Sequence, residues 1–158
     1  MMRRDAQSIS SRSDKVVQGP DPIGVAELYE QAIRVIYSEA FAAGLNPAQW
    51  NALRYLSSAL PERRTPSAFA QYHHVTRGTA SQTINALERK GLVSKRPDET
   101  DGRAVRLELT EAGHAMLSKD PLNLLAEAFA QLPRNRLEAA MMIGQQVTME
   151  VYRRVSRR

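Results

Sequence analysis

The 158 residues include no cysteine, which excludes disulfides, thiolate metal sites and sensing by cysteine oxidation. Histidine is scarce, at three, and the carboxylates are dispersed, so no clustered nucleophile, acid or metal-ligand set speaks for an enzyme. No apolar run approaches the roughly 18 residues that a membrane span requires, and the N-terminus lacks the apolar core of a signal peptide. Together these absences lead us to expect a cytoplasmic protein without cofactor, metal or membrane contact. What is present is a globular composition, 42% hydrophobic, with enough length for one domain and a real core. The formal net charge of +5 favours an anionic partner. Much of the excess lies between Glu62 and Arg106, where Arg63, Arg64, Arg77, Arg89, Lys90, Lys95, Arg96, Arg103 and Arg106 outnumber the acids.

Residues 1–20 are polar and almost without apolar side chains, so they are expected to form a flexible arm. Asp21-Pro22 reads as the cap and first turn of a helix that runs to about Ala43, where Gly44 ends it. Asn46-Pro47 repeats that signature, with Trp50, Leu53, Leu56 and Leu60 as the buried face and Pro61 as the stop. Thr65-Pro66 opens a short helix, Ser67 to Tyr72, and His73-His74-Val75 turns the chain into the stretch from Thr76 to Gly91. Short helix, tight turn and longer helix form a helix-turn-helix pattern. The adjacent histidines invite a metal reading, but only His114 remains as a third ligand; polar rings near a phosphate suit the turn better.

Along Thr76–Gly91, Ala80, Thr83, Ile84 and Leu87 fall on one side of a helix, and Gly78, Ser81, Gln82, Asn85 and Arg89 on the other. Small hydroxyls, two carboxamides and a glycine fit a major groove, where Asn and Gln can read the adenine edge. Leu92–Arg96 and Ala104–Leu109 then read as two strands, with Val105, Leu107 and Leu109 alternating with Arg106 and Glu108. A hairpin after such a helix is a wing, with Asp101 and Arg103 at its tip and Lys95, Arg96 and Arg106 on its flanks.

The run LERKGLV from Leu87 to Val93, followed by Asp101-Gly102-Arg103-Ala104 and by Leu109-Thr110-Glu111-Ala112-Gly113, resembles the MarR family of winged helix-turn-helix transcription regulators. The resemblance extends from about Pro22 to the C-terminus. It implies a mainly α fold with a small β-hairpin wing, in which residues 45–110 form the winged helix-turn-helix and residues 21–44 and 111–158 supply dimerisation helices, all within a single domain over 21–158. It also implies that Arg103 enters the minor groove while Asp101 shapes the wing. The function implied is sequence-specific binding of double-stranded DNA by a homodimeric repressor. Base edges or close approach fall to Gly78, Ser81, Gln82 and Asn85; Arg77 and Thr79 meet phosphate, and Arg89, Lys95 and Arg96 complete the DNA-facing set.

Thr110 reads as the cap of a further helix, which Asp120-Pro121 should break, and Pro133 restarts the chain into a last one. There Leu137, Ala140, Met141, Gly144, Val147, Thr148, Val151 and Val155 keep a three-four spacing with nothing after them to cover the stripe. A second copy of the chain would cover it. The resemblance further implies a small aromatic or anionic effector, for which Tyr29, Tyr37, Trp50, Tyr55 and Met116 are candidate lining residues and Arg34 or Arg54 candidate carboxylate partners. The same residues also suit a plain core. The alternative function is a winged-helix module that binds protein through its basic face, without reading DNA sequence.

Overall fold

The computed structural model describes residues 21–97 and 105–157. Its first five α-helices start where a polar side chain can take an otherwise unpaired backbone N–H, each such cap contributing about 1 kcal/mol. Helix α1 spans Pro22–Ala42, with Asp21 Oδ2 accepting from the Gly24 N–H at 3.1 Å. Helix α2, Pro47–Ser58, opens on a reciprocal box: Asn46 accepts from the Gln49 backbone and Gln49 accepts from the Asn46 backbone. Thr65, Thr76 and Thr110 cap α3 (Pro66–Tyr72), α4 (Arg77–Arg89) and α5 (Glu111–Leu117) in the same manner. Gly44 at φ +83° and Gly91 at φ +69° carry the chain out of α1 and α4 through the left-handed region that glycine adopts without cost.

Strands β1 (Val93–Pro97) and β2 (Val105–Leu109) pair antiparallel, Val93 opposite Leu109 and Lys95 opposite Leu107. On its other edge β2 gives the Leu107 N–H to Arg64 O at 2.8 Å, which fixes the wing against the α2–α3 connection. Helices α6 (Leu122–Ala130) and α7 (Arg134–Val155) follow. The core collects Trp50, Leu53 and Leu56 of α2, Phe69 of α3, Ile84 and Leu87 of α4, and Val93 and Leu107 of the wing. Three helices and the hairpin therefore share one interior, which sets the position of α4.

The chain divides into two compact units, residues 1–34 and 35–158, with the boundary inside α1. In the first unit Ile23, Leu28, Tyr29 and Ile33 are exposed, and Arg34 pairs with Glu30 one turn earlier. In the second, α7 contains no buried residue, and Met141, Val147, Val151 and Val155 are all more than half exposed.

Three local expectations are corrected. Leu60 is 63% exposed rather than buried, because α2 stops at Ser58 and Leu60 leads into a 3-10 turn, Pro61–Arg63. The short helix starts one residue earlier, at Pro66, the position where a missing N–H costs nothing. The first strand begins one residue later than the apolar pattern suggests, at Val93. The break at Asp120-Pro121 is observed as read: the Asp120 carboxylate accepts the Leu122 N–H at 2.9 Å and starts α6.

Candidate nucleic-acid interface

Helix α4 lies across α3 and α2 with Ala80, Ile84 and Leu87 fully buried, so the side that the period of 3.6 leaves outward is fixed. On that side Gly78, Ser81, Gln82, Asn85 and Arg89 are exposed, as are Arg77 and Thr79 at the helix start. Thr83, read with the buried set, is half-buried and bonds its own helix at Thr79 O. Arg77 and Arg89 take part in no ion pair among the described residues, so their charges face solvent. The Thr79 hydroxyl is already paired with the Thr76 hydroxyl at 2.9 Å, which gives it a role in capping.

The wing cations are more occupied than the sequence suggests. Lys95 reaches from β1 to Asn85 Oδ1 at 2.5 Å and Glu88 Oε2 at 2.6 Å. Arg96 pairs with Glu108 at 3.0 Å, and Arg106 donates to Pro61 O at 2.7 Å. These bonds place Arg96 and Arg106, directly opposite each other in the register, without leaving two like charges face to face. Asp101 and Arg103 lie outside the described residues, as do residues 1–20.

The two histidines of the turn diverge. The His73 ring packs against Phe69 and Tyr72, with centroids 4.8 and 4.9 Å away, and its Nε2 is buried without a hydrogen-bond partner among the described residues. Burial first, then the Arg54 and His74 charges, hold its pKa below the ordinary histidine value despite a bond to the Asn51 backbone. His73 is therefore an apolar-packed, neutral ring rather than a phosphate neighbour. His74 adopts φ +52° and faces Tyr152 of α7, with centroids 5.1 Å apart.

The candidate effector residues are scattered by the fold. Trp50 is fully buried and donates its indole N–H to Ala40 O at 3.3 Å, so it belongs to the core and has no surface left for a ligand. Tyr55 is buried with its hydroxyl on Arg63 O at 2.6 Å, on the wall of a recess of about 370 Å³ shared with Ser58, Gln71 and Tyr72. Met116 packs partly buried against the core; Tyr29 and Tyr37 are about half exposed. Arg54 is not open to a carboxylate ligand. Its Nε and Nη2 meet Asp120 Oδ2 and Oδ1, each at 2.6 Å, and its Nη1 meets Asn51. That pair joins residues 66 apart, so no local spacing could have revealed it.

A short helix, a four-residue turn, an exposed polar helix and a two-stranded wing, wrapped around one core, make a winged helix-turn-helix. A sequence model described as MarR family matches residues 43–104, which cover α2 to the wing. Over residues 43–104 the chain matches the MarR family. Members of this family are transcription regulators, not enzymes. An HTH-type transcriptional repressor of Bacillus subtilis, YetL, is 33% identical over 76 residues, 48% of this chain and 46% of that repressor. The chain thus spans about half the length of the curated relative it matches. Among solved structures, a mutant of S. aureus MepR is 18% identical with a TM-score of 0.68, over 84% of this chain and 99% of that one. CouR, a transcriptional repressor solved bound to a 23-mer DNA duplex, is 20% identical with a TM-score of 0.66, over 79% and 89%. At those identities the likeness speaks for the MarR fold alone.

Proposed function

We propose that the chain is a homodimeric repressor that binds a palindromic operator in double-stranded DNA, acts in the cytoplasm and is released by a small aromatic or anionic effector. One observation carries this reading: the outer side of α4 presents Gly78, Ser81, Gln82 and Asn85 to solvent, with Arg77 and Arg89, in no ion pair among the described residues, at its two ends. Arginine contacts to phosphate give affinity and salt dependence, while short polar groups on an exposed helix give base choice. CouR, whose fold this chain shares, is solved bound to a DNA duplex, which supports DNA as the partner.

The bare apolar side chains of α7 support a second copy of the chain as their cover, since a monomer would leave Met141, Val147 and Val155 in water. Two copies related by a two-fold axis read an inverted repeat. With Trp50 and Arg54 engaged elsewhere, Tyr29, Tyr37, Tyr55 and Met116 are the candidates left for the effector.

Selection of duplexes from a random library by the purified protein tests the reading. An inverted repeat with half-sites about one helical turn apart is expected, bound with a steep salt slope. If no sequence is enriched, and a scrambled duplex binds as well at every salt concentration, the protein-binding alternative takes over. On the selected operator Arg103→Ala is expected to weaken binding by about 1–3 kcal/mol, measured at moderate salt; an unchanged affinity would remove Arg103 from the interface.

A further inference from the structure

The acceptor end of Asn85 is already in use. Lys95 sends its ammonium from β1 to Asn85 Oδ1 at 2.5 Å and to Glu88 Oε2 at 2.6 Å. An ammonium carries only donors, so it decides which end of the carboxamide faces it: the oxygen turns toward the wing and the amino group away. Asn85 and Glu88 stand three residues apart on neighbouring sites of α4, so one cation from the wing can hold both. The Lys95 side chain is 28% exposed and that of Glu88 42%, and both bonds lie at the exposed surface. Glu88 gives the ammonium a counter-charge within the protein, so a passing phosphate must compete with it for Lys95.

The direction from which Lys95 arrives is fixed as well. Gly91 turns the chain at φ +69°, the Leu92 N–H bonds Leu87 O at 3.0 Å, and Val93 and Leu107 are buried beneath the hairpin. A carboxamide with both ends free reads adenine by accepting from N6 and donating to N7. Oδ1 keeps a second lone pair, but the ammonium turns that oxygen toward the wing, so the donor end is the one directed away from it. Guanine then offers two neighbouring acceptors, O6 and N7; adenine offers N7 alone, and cytosine presents a donor that this group cannot meet.

We infer that Lys95 is a specificity-determining positioning residue: it holds Asn85 as a donor and thereby sets the base beneath Asn85 to guanine in place of adenine. This rests on the DNA-reading function proposed above. Lys95 acts through Asn85 and needs no base contact of its own.

Library selection with four variants beside the parent chain tests it. N85A identifies the base pair beneath Asn85 by loss of preference there. At that pair the parent protein is expected to favour guanine over adenine by about tenfold, and K95M to reverse the order by a similar factor. K95R, which keeps N–H donors, is expected to retain guanine. N85D keeps the Lys95 contact but lacks the amino group, and is expected to lose the guanine preference as fully as N85A, a result that does not depend on how well K95M folds. If K95M weakens all duplexes uniformly and lowers the salt slope with the base order unchanged, Lys95 is a phosphate contact and the inference is overturned, while the operator reading stands. Guanine preference surviving in N85D overturns it too. A parent protein that enriches no sequence removes the operator reading and this inference with it.

Discussion

Gly113→Ala is expected to destabilise the protein by about 3 kcal/mol, the upper part of the usual range for overpacking. A Cβ at this position would lie 2.1 Å from Leu92 O, 3.2 Å from Leu92 C and 3.3 Å from the Leu109 side chain. The nearest obstacle is main chain, and it is tied down. Leu92 O accepts the Thr110 N–H at 3.2 Å, the Thr110 hydroxyl donates to Gly91 O at 2.6 Å, and the Leu92 N–H is held by Leu87 O. Either α5 or the joint between α4 and β1 must therefore move. In a chain of this size the cost corresponds to a thermal midpoint lower by roughly 6–12 °C. A melt that stays within about 2 °C of the parent protein would mean that the close approach is not rigid. Because the joint that moves also aims the wing, operator affinity is expected to fall below the midpoint as well.

That glycine shows how the sequence and the fold inform each other. Gly113 is visible in the sequence as part of a motif, but the reason for it, a carbonyl belonging to Leu92, is apparent only once the chain is folded. Helix starts were legible because their chemistry is local: Asn46, Thr65, Thr76 and Thr110 each cap a helix within three residues. The outward side of α4 was legible because Ala80, Ile84 and Leu87 follow one period and all three are buried. Leu60 escapes the helical pattern because it lies beyond the end of α2, in extended backbone before the 3-10 turn. The apolar stripe of α7 has the right spacing for a buried helix, yet no residue of α7 is buried within one copy of the chain. Spacing reports that a surface needs covering, not what covers it. The occupied state of Lys95 and the role of Arg54 were hidden for another reason, since each depends on a partner brought from a different element.

Asp120→Ala is expected to cost about 3 kcal/mol at neutral pH, the lower end of the range for breaking a buried ion pair. Asp120 is 8% exposed and receives two Arg54 bonds of 2.6 Å together with the Leu122 N–H. Its loss would leave the guanidinium without a counter-charge and α6 without its first acceptor. Since the Arg54 side chain keeps 28% exposure, water can offset part of the loss, which argues for the lower end. Burial by itself would raise the Asp120 pKa, but the Arg54 hydrogen bonds, the Leu122 N–H and the Arg54 charge together hold it below the usual carboxylate value. A folded pKa below the unfolded one gives stability that is complete above the unfolded value, about 4, and is lost as pH falls through the folded value. The gap in urea midpoint between the parent protein and D120A is therefore expected to be full at pH 6–7 and to narrow below about pH 4; a gap independent of pH would place the damage in packing rather than charge. Formate supplies a carboxylate of the size removed. It is expected to raise the melting temperature of D120A and to leave the parent protein unchanged, because in the intact chain Arg54 already has its anion. An acidic effector reaching Arg54 would first have to displace Asp120, so its carboxylate is better met elsewhere.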